Sequence, residues 1–210
     1  MIKQAIIPLA GLGTRLLPLT SVFAKELLPI NGKPGIEYIL DECIDAGIKE
    51  IIFIISKKKI MIKNYFYNDI FYKNIIKRKK DPRIIAEYKK ILKYKKMIKF
   101  VFQDKPLGTG DAVLKTRKLI KDKHFLMLLP DDLIIKKNCS KAMIRINKKF
   151  KSSVMASMKV NKKTVSRWGI YKIKNKINKN DFTIKGVVEK PSINKAPSNN
   201  AVIGRYILPK

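Results

Sequence analysis

Apolar residues gather in short continuous runs along the first part of the chain. Four runs rich in isoleucine, valine, leucine and phenylalanine lie at residues 5–9, 51–55, 98–102 and 125–129. Runs without alternating polar residues are typical of strands that are buried on both faces of a sheet. We therefore expect a sheet whose two faces are both covered.

A different period separates the first two runs. Apolar residues recur there at helical spacing, at Ile36, Ile39, Leu40, Cys43 and Ile44. Gly47 follows where such a helix would end. Strand, helix and strand form a βαβ unit, and residues 111–120 and 139–150 predict two further helices. The alternation predicts an α/β fold with a doubly wound, mainly parallel sheet, whose ligands bind at the carboxyl ends of the strands.

The pattern changes after Phe150. Residues 153–158, 168–173, 183–188 and 201–207 predict strands with little helix between them. We interpret residues 1–150 as the core and residues 151–210 as a sheet-rich region of the same single domain. Residues 57–96, crowded with lysine and tyrosine, fit either helices or a mobile basic insert. Their charges are typical of a solvated face.

Composition narrows the possible partners. The 210 residues favour one domain, and a hydrophobic content of 46% suits a globular protein. The net charge of +31 fits a phosphate-rich partner such as nucleic acid, an anionic membrane or a nucleotide. It also fits A+T-rich coding, because lysine, isoleucine and asparagine are abundant along the whole chain. We favour this second interpretation for most of the charge, without a nucleic-acid partner.

The cellular compartment follows from what the sequence lacks. Cys43 and Cys139 have neither a metal-ligand spacing nor the density of a disulfide scaffold. Pro8 and Gly11 interrupt the first apolar run, which also lacks the cleavage region of a signal peptide. No stretch reaches transmembrane length. We expect a cytoplasmic protein without a membrane partner.

A glycine-rich turn follows the first predicted strand. Ala10, Gly11, Leu12 and Gly13 continue into Thr14 and Arg15, with Lys25 further on. Such a turn lets backbone N–H groups approach phosphate closely. Leu16 stands where a dinucleotide fingerprint needs its third glycine, and the Gly-Lys-Ser/Thr of a P-loop is absent. The turn alone would suit any tight connection between strand and helix, and the two cations favour phosphate binding.

The motifs resemble those of a known family. The segment GLGTRLLPLTSVFAKELLPINGKP is similar to the signature of the sugar-1-phosphate nucleotidyltransferases. The resemblance continues in the family's order through FVFQDKPLGTGDAV, LLPDDLI, SRWGIY and GVVEKPSINKAPSNNAVIGRYIL. It spans nearly the whole chain and is strongest to the bacterial members that join UTP to glucose 1-phosphate. It implies a uridylyltransferase that makes UDP-glucose and pyrophosphate, with dTTP or another hexose phosphate as the alternative substrates.

The resemblance assigns roles to charged residues. In this family a sugar-phosphate oxygen attacks the α-phosphorus of the triphosphate, so catalysis needs positioning and charge neutralisation rather than a protein nucleophile. Arg15 suits the triphosphate and the departing pyrophosphate, and Lys25 supplies a compact charge. Asp131 and Asp132 follow the strand at 125–129, and Asp131 holds the family position for binding Mg²⁺. The alternative roles are surface salt bridges for the cations and an Asx turn for the aspartate.

The remaining motifs divide between base and sugar. Gln103 resembles the family's uracil-reading glutamine, whose amide can both donate and accept, and Gly108 and Gly110 let the backbone approach the base. Asp111 stands where close relatives usually carry histidine.

In VVEKP, Glu189 is expected to accept hydrogen bonds from sugar hydroxyls and Lys190 to bind the sugar phosphate. Gly169 resembles the glycine that lies against the sugar. The resemblance thus makes residues 1–150 the nucleotide-binding core and residues 151–210 the sugar-side region. His124 is interpreted as structural, and Trp168 as packing beneath the sugar loop.

Relatives continue beyond the position that matches Leu208. Their further helices complete the fold and contribute to subunit contact, which implies a homo-oligomer, and a second metal-binding carboxylate of the wider superfamily lies there. We expect that part of the family fold to be missing here. The chain is then a shortened working enzyme, an inactive remnant or an incomplete gene product. A basic nucleic-acid-binding protein built on an enzyme fold is the alternative from another class.

Overall fold

The computed structural model describes residues 2–210, which form ten strands and six α-helices. The strands are β1 (Gln4–Pro8), β2 (Pro29–Ile30), β3 (Lys33–Pro34), β4 (Glu50–Ile55), β5 (Ile98–Phe102), β6 (His124–Leu128), β7 (Val154–Lys159), β8 (Gly169–Lys176), β9 (Phe182–Glu189) and β10 (Asn200–Pro209). The helices are α1 (Gly35–Asp45), α2 (Ile60–Tyr67), α3 (Asp69–Lys79), α4 (Pro82–Lys95), α5 (Gly108–Lys115) and α6 (Cys139–Phe150).

Eight strands share one sheet in the order β5-β4-β1-β6-β10-β8-β9, with β7 paired to β10. Strands β5, β4, β1 and β6 run parallel. Strand β10 runs antiparallel to β6 and leads into the antiparallel strands β7, β8 and β9. The predicted fold class is confirmed, and the sheet-rich region after Phe150 extends the same sheet.

The apolar runs of β1, β4 and β6 are buried on both faces, as predicted, whereas the run at 98–102 forms the edge strand β5, where Phe102 is 40% exposed. Alternate residues of a strand point to opposite faces. Ile7, Phe53 and Ile55 join the cluster that includes residues of α1, α2, α4 and α6, whereas Ile6 and Ile54 join a second cluster with α5. All five side chains are fully buried. Because each such side chain contributes roughly 1.5–3 kcal/mol on burial, the two clusters hold the central strands rigidly.

Helix α1 ends as its sequence predicts. Gly47 adopts a left-handed φ of 85°, and the N–H of Ile48 donates to the carbonyl of Cys43. This geometry is typical of a glycine that follows a helix.

Residues 57–96 form helices rather than a mobile insert. Helices α2, α3 and α4 account for most of the segment, and Ile62, Phe66, Ile91 and Tyr94 bury their side chains. Most lysines lie on the outer face, as expected for a solvated surface, but Lys59 is buried.

One predicted helix has different bounds. Residues 111–120 were expected to be helical, yet α5 spans Gly108–Lys115. Gly108 begins the helix with a left-handed φ of 90°. The hydroxyl of Thr116 donates to the carbonyl of Val113 at 2.6 Å, so the chain turns away there. No helix within residues 2–210 combines the length and apolar content needed to cross a lipid bilayer.

Candidate active site

Three of the predicted site segments follow the carboxyl ends of parallel strands. Ala10 and Gly11 follow β1, Gln103 follows β5 and Asp131 follows β6. Because these strands run in the same direction, the three segments lie along one edge of the sheet. This is the edge at which ligands of doubly wound sheets bind.

The turn after β1 needs its second glycine. Gly13 has a φ of 69°, and a β-carbon there would lie 3.1 Å from Cγ2 of Thr20. The hydroxyl of Thr20 donates to the Gly13 carbonyl at 2.8 Å, and the N–H of Leu16 donates to the same carbonyl at 3.0 Å. The turn is therefore held from both sides, with Ala10 buried and Gly11 in open space.

The turn, a lysine and an aspartate line one pocket. Its volume is about 390 Å³, and it is lined by Gly13, Thr14, Arg15, Leu16, Lys25 and Asp131. Nζ of Lys25 lies 3.3 Å from Oδ2 of Asp131, with the lysine side chain 22% exposed and the aspartate side chain 50% exposed. The structure thus brings together all three residues predicted to be catalytic.

A buried ion pair joins Lys59 to Glu26, which lies next to Lys25 in the chain. Nζ of Lys59 donates to both carboxylate oxygens of Glu26, at 2.8 and 2.9 Å. Burial lowers the pKa of the Lys59 ammonium, and Glu26 opposes that shift. Sequence reasoning noted Glu26 only as part of the motif and missed Lys59, because both looked like surface charges. The pair fixes the short turn Lys25–Leu27 that carries Lys25.

Asp132 has a structural role, although it was the second candidate for the metal. Its Oδ2 accepts a hydrogen bond from the N–H of Gly204 at 2.6 Å. A β-carbon on Gly204 would lie 2.5 Å from Cβ of Leu129 and 2.8 Å from Oδ2 of Asp132. The loop after β6 is therefore packed directly on the backbone of β10.

Arg205 clamps the same loop, and sequence reasoning did not single it out. Its side chain is fully buried, and its Nη1 donates to the carbonyls of Leu129 and Gly204, at 3.1 and 2.8 Å. Its Nη2 donates to the carbonyl of Asp132 at 2.7 Å and to Oε2 of Glu42 at 2.8 Å, while Nε donates to the Glu42 carboxylate. All the N–H groups of the guanidinium are used. The clamp joins β10, α1 and the loop that carries Asp131.

Gln103 lies in a separate cluster at the end of β5. Its N–H donates to the carbonyl of Ile55 at 2.9 Å, and its side chain is buried. Nε2 donates to Oδ2 of Asp111 at 2.7 Å and to the carbonyl of Gly108 at 3.1 Å. Gly108 and Gly110 have open space beside them.

The sugar-side residues form a third cluster. Gly169 pairs with Glu189 across β8 and β9, and a β-carbon on Gly169 would lie 3.0 Å from Oε2 of Glu189. Lys190 adopts a φ of 44°, its N–H donates to the carbonyl of Trp168, and its Nζ lies 3.8 Å from Glu189. Both charged side chains are exposed. Trp168 itself packs near Val165 in a small apolar cluster.

The sheet register connects this cluster with the loop after β6. Arg205 of β10 pairs with Leu128 at the end of β6, and Ala201 of β10 pairs with Ile170, next to the Gly169–Glu189 pair. The end of β9 therefore lies beyond the carboxyl end of β6. Burial raises the pKa of the Tyr206 phenol, and the negative charges of Asp132, Asp131 and Glu189 raise it further. His124 begins β6, at the end of the strand opposite Asp131.

The carboxylate of Asp131 fits a partly hydrated Mg²⁺ ion better than a metal ion held entirely by protein side chains. Within residues 2–210, no group of three histidine, cysteine, aspartate or glutamate side chains is arranged to hold a metal ion. Mg²⁺ does not need such a group, since it keeps several waters and binds one or two carboxylates together with substrate phosphates. The half-exposed carboxylate of Asp131 fits that mode of binding.

Comparison with known proteins agrees with the site. The nucleotidyl transferase family profile matches residues 4–210. The chain is 37% identical over 209 residues to the UTP–glucose-1-phosphate uridylyltransferase of Mycoplasma pneumoniae, covering 99% of this chain and 72% of that protein. It is 35% identical over 212 residues to the enzyme of the same name from Streptococcus pyogenes, covering 99% and 69%.

Solved structures of related enzymes have the same fold. A UTP-bound UGPase from Acinetobacter baumannii superposes with a TM-score of 0.90 at 34% identity, covering 100% of this chain and 75% of that one. A UDP-glucose pyrophosphorylase complexed with UDP-glucose superposes with a TM-score of 0.82 at 34% identity, covering 100% and 76%. With the glycine-rich turn, the flanking cations and the matching fold all in place, this chain belongs to the nucleotidyl transferase family.

Proposed function

We propose that this protein transfers a uridylyl group from UTP to glucose 1-phosphate, giving UDP-glucose and pyrophosphate. The observation that carries the proposal is the pocket in which Arg15, Lys25 and Asp131 meet beside the glycine-rich turn. The names of the relatives in Mycoplasma pneumoniae and Streptococcus pyogenes support this choice of substrates.

The reaction is a single displacement at phosphorus. An oxygen of the sugar phosphate forms a bond to the α-phosphorus of UTP, and the bond from that phosphorus to the bridging oxygen of the β-phosphate breaks. Negative charge then builds up on the departing pyrophosphate. Arg15 is placed to neutralise it with a planar set of donors, and Lys25 does so with a compact ammonium. The backbone N–H groups of the glycine-rich turn add fixed dipoles.

Asp131 is the residue that would hold Mg²⁺ in this proposal. The ion, when bound, neutralises phosphate charge and orients phosphate oxygens. Asp131 lies 3.3 Å from Lys25, so the carboxylate also orients the ammonium and balances its charge before the substrates arrive.

The exposed charges beside β8 and β9 serve the sugar phosphate. Glu189 accepts hydrogen bonds from sugar hydroxyls, and Lys190 binds the phosphate. Gly169 supports this role because its missing β-carbon leaves room for the Glu189 carboxylate at 3.0 Å. Lys190 follows the end of β9 with a left-handed φ of 44°, and its side chain is exposed.

A substrate panel tests the proposal. Purified protein is incubated with Mg²⁺, with UTP, dTTP, CTP or ATP, and with glucose 1-phosphate or another hexose 1-phosphate, and pyrophosphate release is measured. We expect release that requires both UTP and glucose 1-phosphate. Release without the sugar phosphate, or a folded protein inactive on every pair, would contradict the proposed function.

A further inference from the structure

The turn that carries Lys25 is too short to hold its own position. Lys25–Leu27 is a single 3₁₀ turn, in which the N–H of Leu27 donates to the carbonyl of Ala24 at 2.9 Å and the N–H of Leu28 donates to the carbonyl of Lys25 at 3.2 Å. Such turns have poor hydrogen-bond geometry, and one turn alone fixes several dihedral angles for few bonds. The position of the Lys25 side chain therefore depends on the residues that hold the turn from outside.

The segment after β4 holds this turn at two points. Nζ of Lys59 donates to the two carboxylate oxygens of Glu26 at 2.8 and 2.9 Å, and the side chains of the pair are only 10% and 1% exposed. One residue before the turn, the N–H of Ala24 donates to Sδ of Met61 at 3.1 Å. Strand β4 runs parallel to β1 and beside it, so this segment lies at the edge of the sheet where ligands bind.

A buried ion pair differs from an apolar contact in its directionality. Burial disfavours both charged groups, and two apolar side chains of similar volume often stabilise a fold as well or better. Stability is therefore a weak reason for the pair of Lys59 and Glu26. Charge-assisted hydrogen bonds, by contrast, have a defined geometry. Two of them on one carboxylate leave Glu26 one arrangement, and the backbone of its neighbour Lys25 is fixed with it.

We propose that Lys59 is a positioning residue of the reaction, which acts through Glu26 to fix the Lys25 ammonium beside the phosphates of the triphosphate. Nζ of Lys25 lies 3.3 Å from Oδ2 of Asp131, so a small rotation of the turn would change its distance to that carboxylate and to a bound phosphate. Among residues 2–210, those that line the pocket include Lys25 but neither Lys59 nor Glu26. The inference rests on the proposed function and adds a residue that it does not assign.

The test replaces both members of the pair, Glu26→Met with Lys59→Met, which keeps the bulk of the side chains and leaves no buried charge alone. The urea midpoint should stay near the parent value, because apolar residues can replace a buried ion pair. We expect kcat to fall by about 10- to 100-fold, since a misplacement of about 1 Å can cost about two orders of magnitude. The KM for glucose 1-phosphate should not change. If this variant does not fold, Glu26→Gln, which keeps one acceptor for Lys59, provides the test with a smaller loss of kcat.

A double-mutant cycle measures whether the pair acts through Lys25. The paired substitution is made in the parent and in Lys25→Ala, and two quantities are compared: kcat, and the affinity for pyrophosphate with Mg²⁺ by calorimetry. Both should fall in the parent background. In the Lys25→Ala background the paired substitution should change each by less than about twofold, because the group that it misplaces is already absent.

The matched control is Glu37→Met with Lys90→Met. This pair joins α1 to α4, its carboxylate side chain is 1% exposed, and neither residue lines the pocket. The substitution therefore removes a buried carboxylate and its lysine far along the chain from Lys25. We expect kcat and the affinity for pyrophosphate to remain at the parent values.

The inference is overturned by parent values of kcat and pyrophosphate affinity in the folded pair variant, by equal losses with and without Lys25, by the same losses in the control, or by a parent that does not bind pyrophosphate. Failure of the proposed function looks different. In that case the parent releases no pyrophosphate from UTP and glucose 1-phosphate, while calorimetry with pyrophosphate still reports whether the pair positions Lys25.

Discussion

Lys25 and Asp131 face each other across 3.3 Å in the pocket, while Glu189 ends β9 and Lys190 follows it. The two groups of charges are therefore expected to serve different substrates. Lys25→Ala should impair the use of UTP, at a cost of about 2–4 kcal/mol in the transition state, because a charge contact is lost in a partly dehydrated site. Glu189→Ala should instead weaken discrimination among sugar phosphates.

Steady-state kinetics with UTP and glucose 1-phosphate varied independently measure this separation, with folding checked by circular dichroism. Lys57→Ala is the control, since that lysine is 81% exposed and its loss removes a surface charge. Identical behaviour of the Lys25 and Glu189 variants toward both substrates would refute the division.

The adjacent aspartates are expected to respond differently to substitution. Asp131→Asn should greatly weaken Mg²⁺-dependent turnover without loss of stability, because the carboxylate is half exposed and its pairing with Lys25 lies near solvent. Asp132→Ala should lower stability, because the Gly204 N–H loses its acceptor. Turnover across a Mg²⁺ titration and chemical unfolding of both variants provide the comparison. Parent activity in Asp131→Asn at every Mg²⁺ concentration would remove Asp131 from the catalytic residues.

Helix α1, strand β10 and the loop after β6 are joined by one buried charge pair. Glu42 accepts from Arg205 and also from the hydroxyl of Ser140, at 2.5 Å, so it connects α6 as well. Arg205→Met should destabilise the fold by about 3–5 kcal/mol, because it leaves the Glu42 carboxylate buried without its cation. Replacing both residues, as in Glu42→Leu with Arg205→Met, should cost less than that single change.

Urea unfolding of the parent, the single variant and the double variant measures this coupling. Arg205→Lys keeps the positive charge but should still lower the free energy of unfolding, because one ammonium cannot reach the three carbonyls and the carboxylate together. If Arg205→Met cost less than about 1 kcal/mol, the clamp would have no energetic role of the kind expected for a buried pair.

The molecule as a whole carries 47 basic and 16 acidic side chains. Within residues 2–210, the ion pairs engage a minority of the lysines and arginines, so self-repulsion acts across the surface. The melting temperature should rise between about 0.02 M and about 0.3 M NaCl, because the Debye length falls from roughly 20 Å to roughly 6 Å. Thermal unfolding followed by circular dichroism measures the shift. A melting temperature that falls with added salt would show that attraction between charges dominates.

The salt dependence of binding distinguishes an enzyme from a protein that binds nucleic acid through its basic surface. If the basic surface bound nucleic acid, the affinity would fall steeply with salt and would be largely insensitive to the loss of Arg15. The pocket that Arg15 lines predicts the opposite for UTP, whose binding depends on that side chain.

Sequence patterns alone were sufficient for the strands of the main sheet, for α1 and α6 and for the glycine-rich turn, whereas α5 was predicted with other bounds and α2, α3 and α4 were left open. Continuous apolar runs predict buried strands because local composition reflects burial on both faces. Gly13 and Gly47 could also be predicted from the sequence, because a left-handed backbone is a local requirement that glycine meets. The order of short motifs likewise indicated Arg15, Lys25 and Asp131 before their meeting in one pocket was known.

Only the tertiary structure decided which charged groups are internal. Arg205 and Glu42 are 163 positions apart, and Lys59 and Glu26 are 33 apart, so no local period connects them. By composition all four resemble surface charges, since arginine, lysine and glutamate are seldom buried unless paired. The hydrogen-bond partners of Asp132 and of the Gln103 amide could not be predicted for a related reason. Hydrogen bonds depend on where donors and acceptors meet in space, and the sequence determines which groups exist but not which of them face each other.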